Sequence, residues 1–259
     1  MKKRIDLFVN LLKWKLLKEI SDYIAAPVLK RYYQFKYRQV ATAEKIIWVY
    51  PSDIYGWYRG NRYDEITFEG QIKGGNWRLK VTEKEIMLKR SNKYKGLMER
   101  FIDKKPWIDT CLFKERYSKQ IKDKTRQMVA LSIGGFFKKN ITLRQLEQYY
   151  ERYHDKLFEN IKTKGFLPSD AENPDITPMY VCIGPEGELL WTDGGNHRLF
   201  IAMIIKTKKI PVKVLKRHKE WQNKRELLLS KQNINLPSNL EGFRNHPDIA
   251  DEMIGHEKY

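Results

Sequence analysis

The chain has 259 residues, with 50 Lys and Arg against 32 Asp and Glu, a formal charge of +18. Seven Trp, fifteen Tyr and eleven Phe exclude disorder for the bulk of it, because disordered segments lack the aromatic surface that offsets the entropy of ordering. Two cysteines, Cys111 and Cys182, without a Cys-x-x-Cys spacing exclude a disulfide scaffold and fit a reducing cytosol.

Residues 1–40 carry ten Lys and Arg against Asp6, Glu19 and Asp22. Such a concentration attracts polyanions: nucleic acid, anionic lipid or a phosphorylated substrate. Residues 4–20 read as a helix, with Ile5, Phe8, Val9, Leu12, Leu16 and Ile20 near one face and Trp14 at its edge. Such a helix lies on a membrane surface or packs on the domain. No stretch approaches the roughly 18 apolar residues of a membrane span. After Met1-Lys2-Lys3-Arg4 the run is broken by Asp6, Lys13 and Lys15, so no signal-peptide core follows. A cytoplasmic protein, peripheral at most to the inner face of the membrane, is expected.

A second helix is expected over about 22–38, interrupted or kinked at Pro27. Lys45–Tyr50 reads as a strand, ended by Pro51-Ser52-Asp53-Ile54. Residues 55–141 are less legible: a Gly74-Gly75 turn before Asn76-Trp77, a helix near Tyr94–Phe101, Pro106-Trp107 with Thr110, and a basic helical run near 112–127. Thr142 and Gln145 have the spacing of a capping box. Leu146, Tyr150, Tyr153, Leu157 and Ile161 then form the expected stripe, with His154 beside it in a structural role and Gly165 as a left-handed stop. Met179–Ile183 and Glu188–Thr192 read as strands around a Gly184–Gly187 turn. A helix over Leu199–Ile205 and a strand over Ile210–Leu215 follow.

Chemistry concentrates between that hairpin and the next helix, in Asp193-Gly194-Gly195-Asn196-His197-Arg198. Two glycines permit a tight turn and close backbone approach. The helix N-terminus after them offers free N–H groups to an anion. His197 and Arg198 add donors, and arginine binds phosphate bidentately. Asp193 can take a magnesium ion or accept a hydroxyl proton. His218 with Glu220 suggests a metal pair, though alternate residues at a strand end are more often solvated, and Trp77, Trp107 and Trp221 read as pocket walls or, more often, core.

This string, with Ile210-Pro211-Val212-Lys213-Val214 after it, resembles the phosphate-binding motif and closing strand of the ParB/sulfiredoxin fold. The resemblance covers about 142–222 and extends to the Pro51–Ile54 segment. A ParB-like subgroup is similar around Gly74–Trp77, Pro106-Trp107, Arg217–Trp221 and His246-Pro247-Asp248. The resemblance implies an α+β fold: a core domain over 41–222 with a large helical insertion at about 57–141, basic N-terminal helices over 1–40, and a C-terminal extension over 223–259. Sulfiredoxin chemistry needs a cysteine where Asn196 stands, so thiol attack is excluded there. ParB proteins carry a helix-turn-helix domain after this module, and 38 residues beyond Trp221 are too few for one. The free serine kinase of the superfamily opens its loop with an acidic residue. Asp193 resembles it, one residue further from His-Arg.

The expected function is therefore nucleotide-dependent phosphoryl transfer to a hydroxyl of a small molecule or glycan. Gly194, Gly195, Asn196, His197 and Arg198 would hold ATP or another nucleotide, with magnesium at Asp193 and catalysis by Asp193 and His197. The alternatives are a nucleic-acid binder or ParB-like nuclease, and a membrane-peripheral nucleotide sensor.

Overall fold

The computed structural model describes residues 26–37, 45–59, 70–122, 142–168, 176, 178–192, 194–230 and 238–250. The fold is α+β, and the described residues fall into two compact units. One holds those up to Lys84, then Pro168–Gly195 and those from Lys209 onward; the other holds Glu85–Leu167 and Asn196–Lys208.

The first unit is built on a mixed sheet of seven strands: β1 (Ile46–Val49), β2 (Ile54–Tyr58), β3 (Gln71–Lys73), β4 (Val81–Glu83), β5 (Tyr180–Ile183), β6 (Leu189–Trp191) and β7 (Ile210–His218), in the order β1-β7-β5-β6-β2-β4. Every residue of β5 and β6 is buried, as their apolar sequences Tyr-Val-Cys-Ile and Leu-Leu-Trp require of strands covered on both faces. β7 runs parallel to β5 with a bulge: Val214 faces Val181 and Lys216 faces Cys182, so Leu215 is the extra residue. The first half of β7 pairs antiparallel with β1 and its last three residues pair parallel with β3. Helix α1 (Ala26–Lys36) lies on this edge, with Ala26, Tyr33 and Tyr37 clustered beside Leu29 and Ile72.

The second unit is helical: α2 (Lys84–Arg90, whose first residue belongs to the sheet unit), α3 (Asn92–Phe101), α4 (Cys111–Lys122), α5 (Leu143–Tyr150), α6 (Lys156–Lys164) and α7 (Asn196–Ile204). Its centre is aromatic. Phe101 and Phe158 stack with centroids 3.9 Å apart, and Trp107, 1 % exposed, meets Phe101 and Tyr150 edge-on. Asp155 anchors the indole, accepting from Trp107 Nε1 at 2.9 Å and from Arg100 Nε and Nη2 at 3.2 and 2.5 Å.

The structure refines several expectations. Pro27 is the second described residue of α1, and residues 22–25, where the expected helix begins, lie outside the described residues. The capping box forms as read: Gln145 N–H donates to Thr142 Oγ1 and Thr142 N–H to Gln145 Oε1. Five π-helical residues, Glu151–Asp155, separate α5 from α6. The wider turn rephases the helix, so the buried stripe runs Leu146, Tyr150, His154, Phe158, Ile161, while Tyr153 is 39 % exposed. Gly165 ends α6 at φ 76°, as expected of a stop. The span 57–141 is helical in its later described part, but residues 71–73 and 81–83 are sheet strands. The boundary expected at 222 falls inside helix α8 (Lys219–Leu229), which buries Leu228 and Leu229. The expected helix over 4–20 lies outside the described residues.

Candidate functional site

Residues 194–198, expected from the sequence to bind phosphate, lie after β6 and at the start of α7. Gly194 has φ 130° and Gly195 φ 63°, values an L side chain rarely adopts. Gly195 is also pressed on Met179, whose Cγ would lie 2.6 Å from a Cβ at this position. Helix α7 starts at Asn196, three residues before the expected start, so His197 and Arg198 belong to its first turn. Asp193, read as metal ligand and base, lies outside the described residues.

The partners of His197 and Arg198 within the helical unit were not legible beforehand. Arg198 is buried, donates from Nη2 to the Leu167 carbonyl at 2.8 Å and covers the Phe166 ring. His197 stands against His154, ring centroids 4.4 Å apart, with Tyr153 edge-on to both. His154 is 4 % exposed, walled by Trp107, Tyr150 and Tyr153, and its Nδ1 has no hydrogen-bond partner. Burial, reinforced by Lys93 and Arg116 and opposed by Asp155, lowers the His154 pKa to about 4. Burial, then His154 and the same two cations, holds His197 well below the ordinary histidine value. The π-helical segment turns His154 inward, and π-bulges occur often at functional positions. A histidine within an aromatic stripe could have signalled this pair, had the helix phase been known.

In the sheet unit, residues noted for their resemblance to the ParB-like subgroup come together. Asp248 is fully buried and receives Arg217 Nε at 2.9 Å, Arg217 Nη2 at 2.5 Å and Trp221 Nε1 at 3.0 Å, with Arg225 Nε 3.5 Å away. Arg217 is the chief cause holding the Asp248 carboxyl far below the usual carboxylate range against its burial. His246 Nδ1 accepts the Asp248 N–H at 3.1 Å, so its Nε2–H donates to the Gly187 carbonyl at 2.9 Å. His218 is fixed in the same way: Nδ1 accepts the Glu220 N–H and caps α8, and Nε2–H donates to the Gly75 carbonyl at 2.8 Å. Both nitrogens are thus engaged, which overturns the His218–Glu220 metal pair. Trp77 stands edge-on to His218. It also lines a cleft of about 390 Å³ with Tyr55, Arg78, Glu83 and Glu188.

Neither thiol is in surroundings that favour the thiolate. Burial pushes Cys182 up to about 12, and burial with Glu99 raises Cys111, against the low pKa a nucleophilic cysteine needs. Trp77, Trp107 and Trp221 are all core residues, at most 4 % exposed. Among the described residues no three His, Cys, Asp or Glu side chains gather as a metal site, and no helix is long and apolar enough to cross a membrane. No protein-family model, curated protein or solved structure matches the chain.

Proposed function

We propose that the protein binds a nucleotide through Gly194–Arg198 and transfers a phosphoryl group to a hydroxyl of a small molecule or glycan, on a core of the ParB/sulfiredoxin type. The observation that carries this reading is the backbone of the loop. Two consecutive glycines at positive φ run directly into the first turn of a nine-residue helix, a backbone path that lets a phosphate approach the positive end of the helix closely. The order of elements supports the core: antiparallel hairpin β5–β6, loop, helix α7, then β7 returning parallel to β5.

Burial holds His197 neutral, so it serves as a hydrogen-bonding group at the loop, and the role of proton acceptor for the hydroxyl stays with Asp193, as the resemblance implies. Arg198 supplies a buried guanidinium beside the helix start. Magnesium would offset the phosphate charge, carried by the nucleotide with Asp193 as its protein ligand.

Calorimetry and thermal unfolding with ATP, ADP, CTP and duplex DNA, each with and without magnesium, test the proposal. A nucleotide at about one hundred times its Kd should add roughly 2.7 kcal/mol of stability. Arg198→Ala should weaken its binding by about 1.5–3 kcal/mol. Stabilisation by duplex DNA alone, or by no ligand, refutes the assignment.

A further inference from the structure

We propose that the outward face of α1 docks the protein on an anionic lipid surface. This helix carries two apolar stripes. The inner one, Ala26, Leu29 and Tyr33, is committed to the sheet unit through Ile72, whose carbonyl accepts the Tyr33 hydroxyl at 2.9 Å. The outer one, Val28, Tyr32 and Phe35, has the spacing of a single helix face and is 62, 49 and 92 % exposed. Because the inner stripe is anchored, the helix cannot roll to hide the outer stripe without breaking the Tyr33 bond. A soluble surface rarely leaves such a stripe without a partner.

Charge selects the occupant. Helix α1 contains Lys30, Arg31 and Lys36 and no acidic residue, and all three cations are exposed. Lys36 Nζ donates to the Tyr32 hydroxyl at 3.2 Å and lies 5.4 Å from the ring centroid. A cation and a phenol are thereby held at the same level, as at the headgroup layer of a bilayer. The rest of residues 1–40 adds seven more Lys and Arg against three acids. Phosphodiester backbones would also satisfy these cations, but they offer Val28 and the projecting Phe35 no apolar phase, which acyl chains beneath an anionic headgroup layer do. An aromatic–aliphatic ridge with Arg31 on one flank and Lys36 on the other is the arrangement of an in-plane interfacial helix. This inference is independent of the phosphate loop.

The full chain should float with vesicles of phosphatidylcholine and phosphatidylglycerol and stay behind with phosphatidylcholine alone. The double variant Val28→Ser/Phe35→Ser should lower vesicle affinity at least about tenfold, as expected for removing two buried apolar side chains. Arg31→Gln/Lys36→Gln should weaken it too and flatten its salt dependence. All these positions are exposed, so melting temperatures should stay at the wild-type value. Leu79→Ser, at another exposed leucine (86 %), should change nothing. Undiminished flotation of the Val28/Phe35 variant, equal flotation with neutral vesicles, or binding of duplex DNA without binding of vesicles would overturn the proposal.

Discussion

Replacing His154 by phenylalanine separates the cost of a buried imidazole from everything else in the helical unit. The ring is 4 % exposed and its Nδ1 is without a hydrogen bond. Its pKa falls from the model-peptide 6.5 to about 4. The folded value lies below the unfolded one, so between pH 6.5 and 4 the unfolded chain binds more protons and acid destabilises the fold. The contribution is intact above pH 6.5, is lost as the pH falls through this window, and changes no further below about pH 4. A difference of 2.5 pKa units corresponds to roughly 3 kcal/mol. The charged and titratable groups facing the ring are His197, Asp155, Lys93 and Arg116, and all remain in the variant. His197 is itself held neutral partly by His154, so its relief acts in the same direction. Urea unfolding from about pH 7 to pH 4 should therefore show the variant gaining roughly 3 kcal/mol on the wild type as the solution is acidified. At neutral pH the variant should match or exceed wild type, since an orphaned buried polar atom costs about 1–3 kcal/mol. Parallel stability curves for the two proteins would refute the reasoning.

Two further outcomes are expected. Asp248→Asn leaves the buried Arg217 and Arg225 guanidiniums without their carboxylate and should cost about 3–5 kcal/mol in urea unfolding at neutral pH; a cost below about 1 kcal/mol would show that the pair contributes little. Gly195→Ala combines a left-handed backbone with a clash against Met179 and should cost about 1–3 kcal/mol. In a double-mutant cycle with Met179→Ala the two changes should couple favourably, whereas strict additivity would place the whole effect in the backbone.

What was legible in the sequence was local. Thr142 and Gln145 could be read as a capping box because both bonds close within four residues. Ile46–Val49 declared itself by β-branched and aromatic residues alone. Strands Gln71–Lys73 and Val81–Glu83 did not, because each has three residues of mixed polarity and is fixed by remote partners in β7 and β2. The phase of the 142–164 helix was misread because one wide turn moves every later side chain, bringing His154 inward and Tyr153 outward. Within the loop, Gly194 and Gly195 carry the conformation their residue type requires. The burial of His197 and Arg198 depends on Phe166, Leu167 and His154, which no spacing within the motif reveals.

The double pairing of β7 sets an order of events during synthesis. Its partners β1 and β3 both precede it in the chain; Val49, for example, waits for Ile210, roughly 160 residues later. At ribosomal speeds of about 5–20 residues per second that is roughly ten to thirty seconds. Throughout this interval Ile46–Val49 lacks the strand beside it, and for roughly the last thirty residues of it the buried run Tyr180–Ile183 lacks the same strand. Lys45, which reaches the Asp248 carbonyl across 203 positions, waits longer still. The nascent chain is therefore most open to strand-to-strand association with other copies before β7 emerges. Slowing translation upstream of Ile210 should lower the soluble yield, and a peptide copy of β7 supplied in trans has a ready slot to fill.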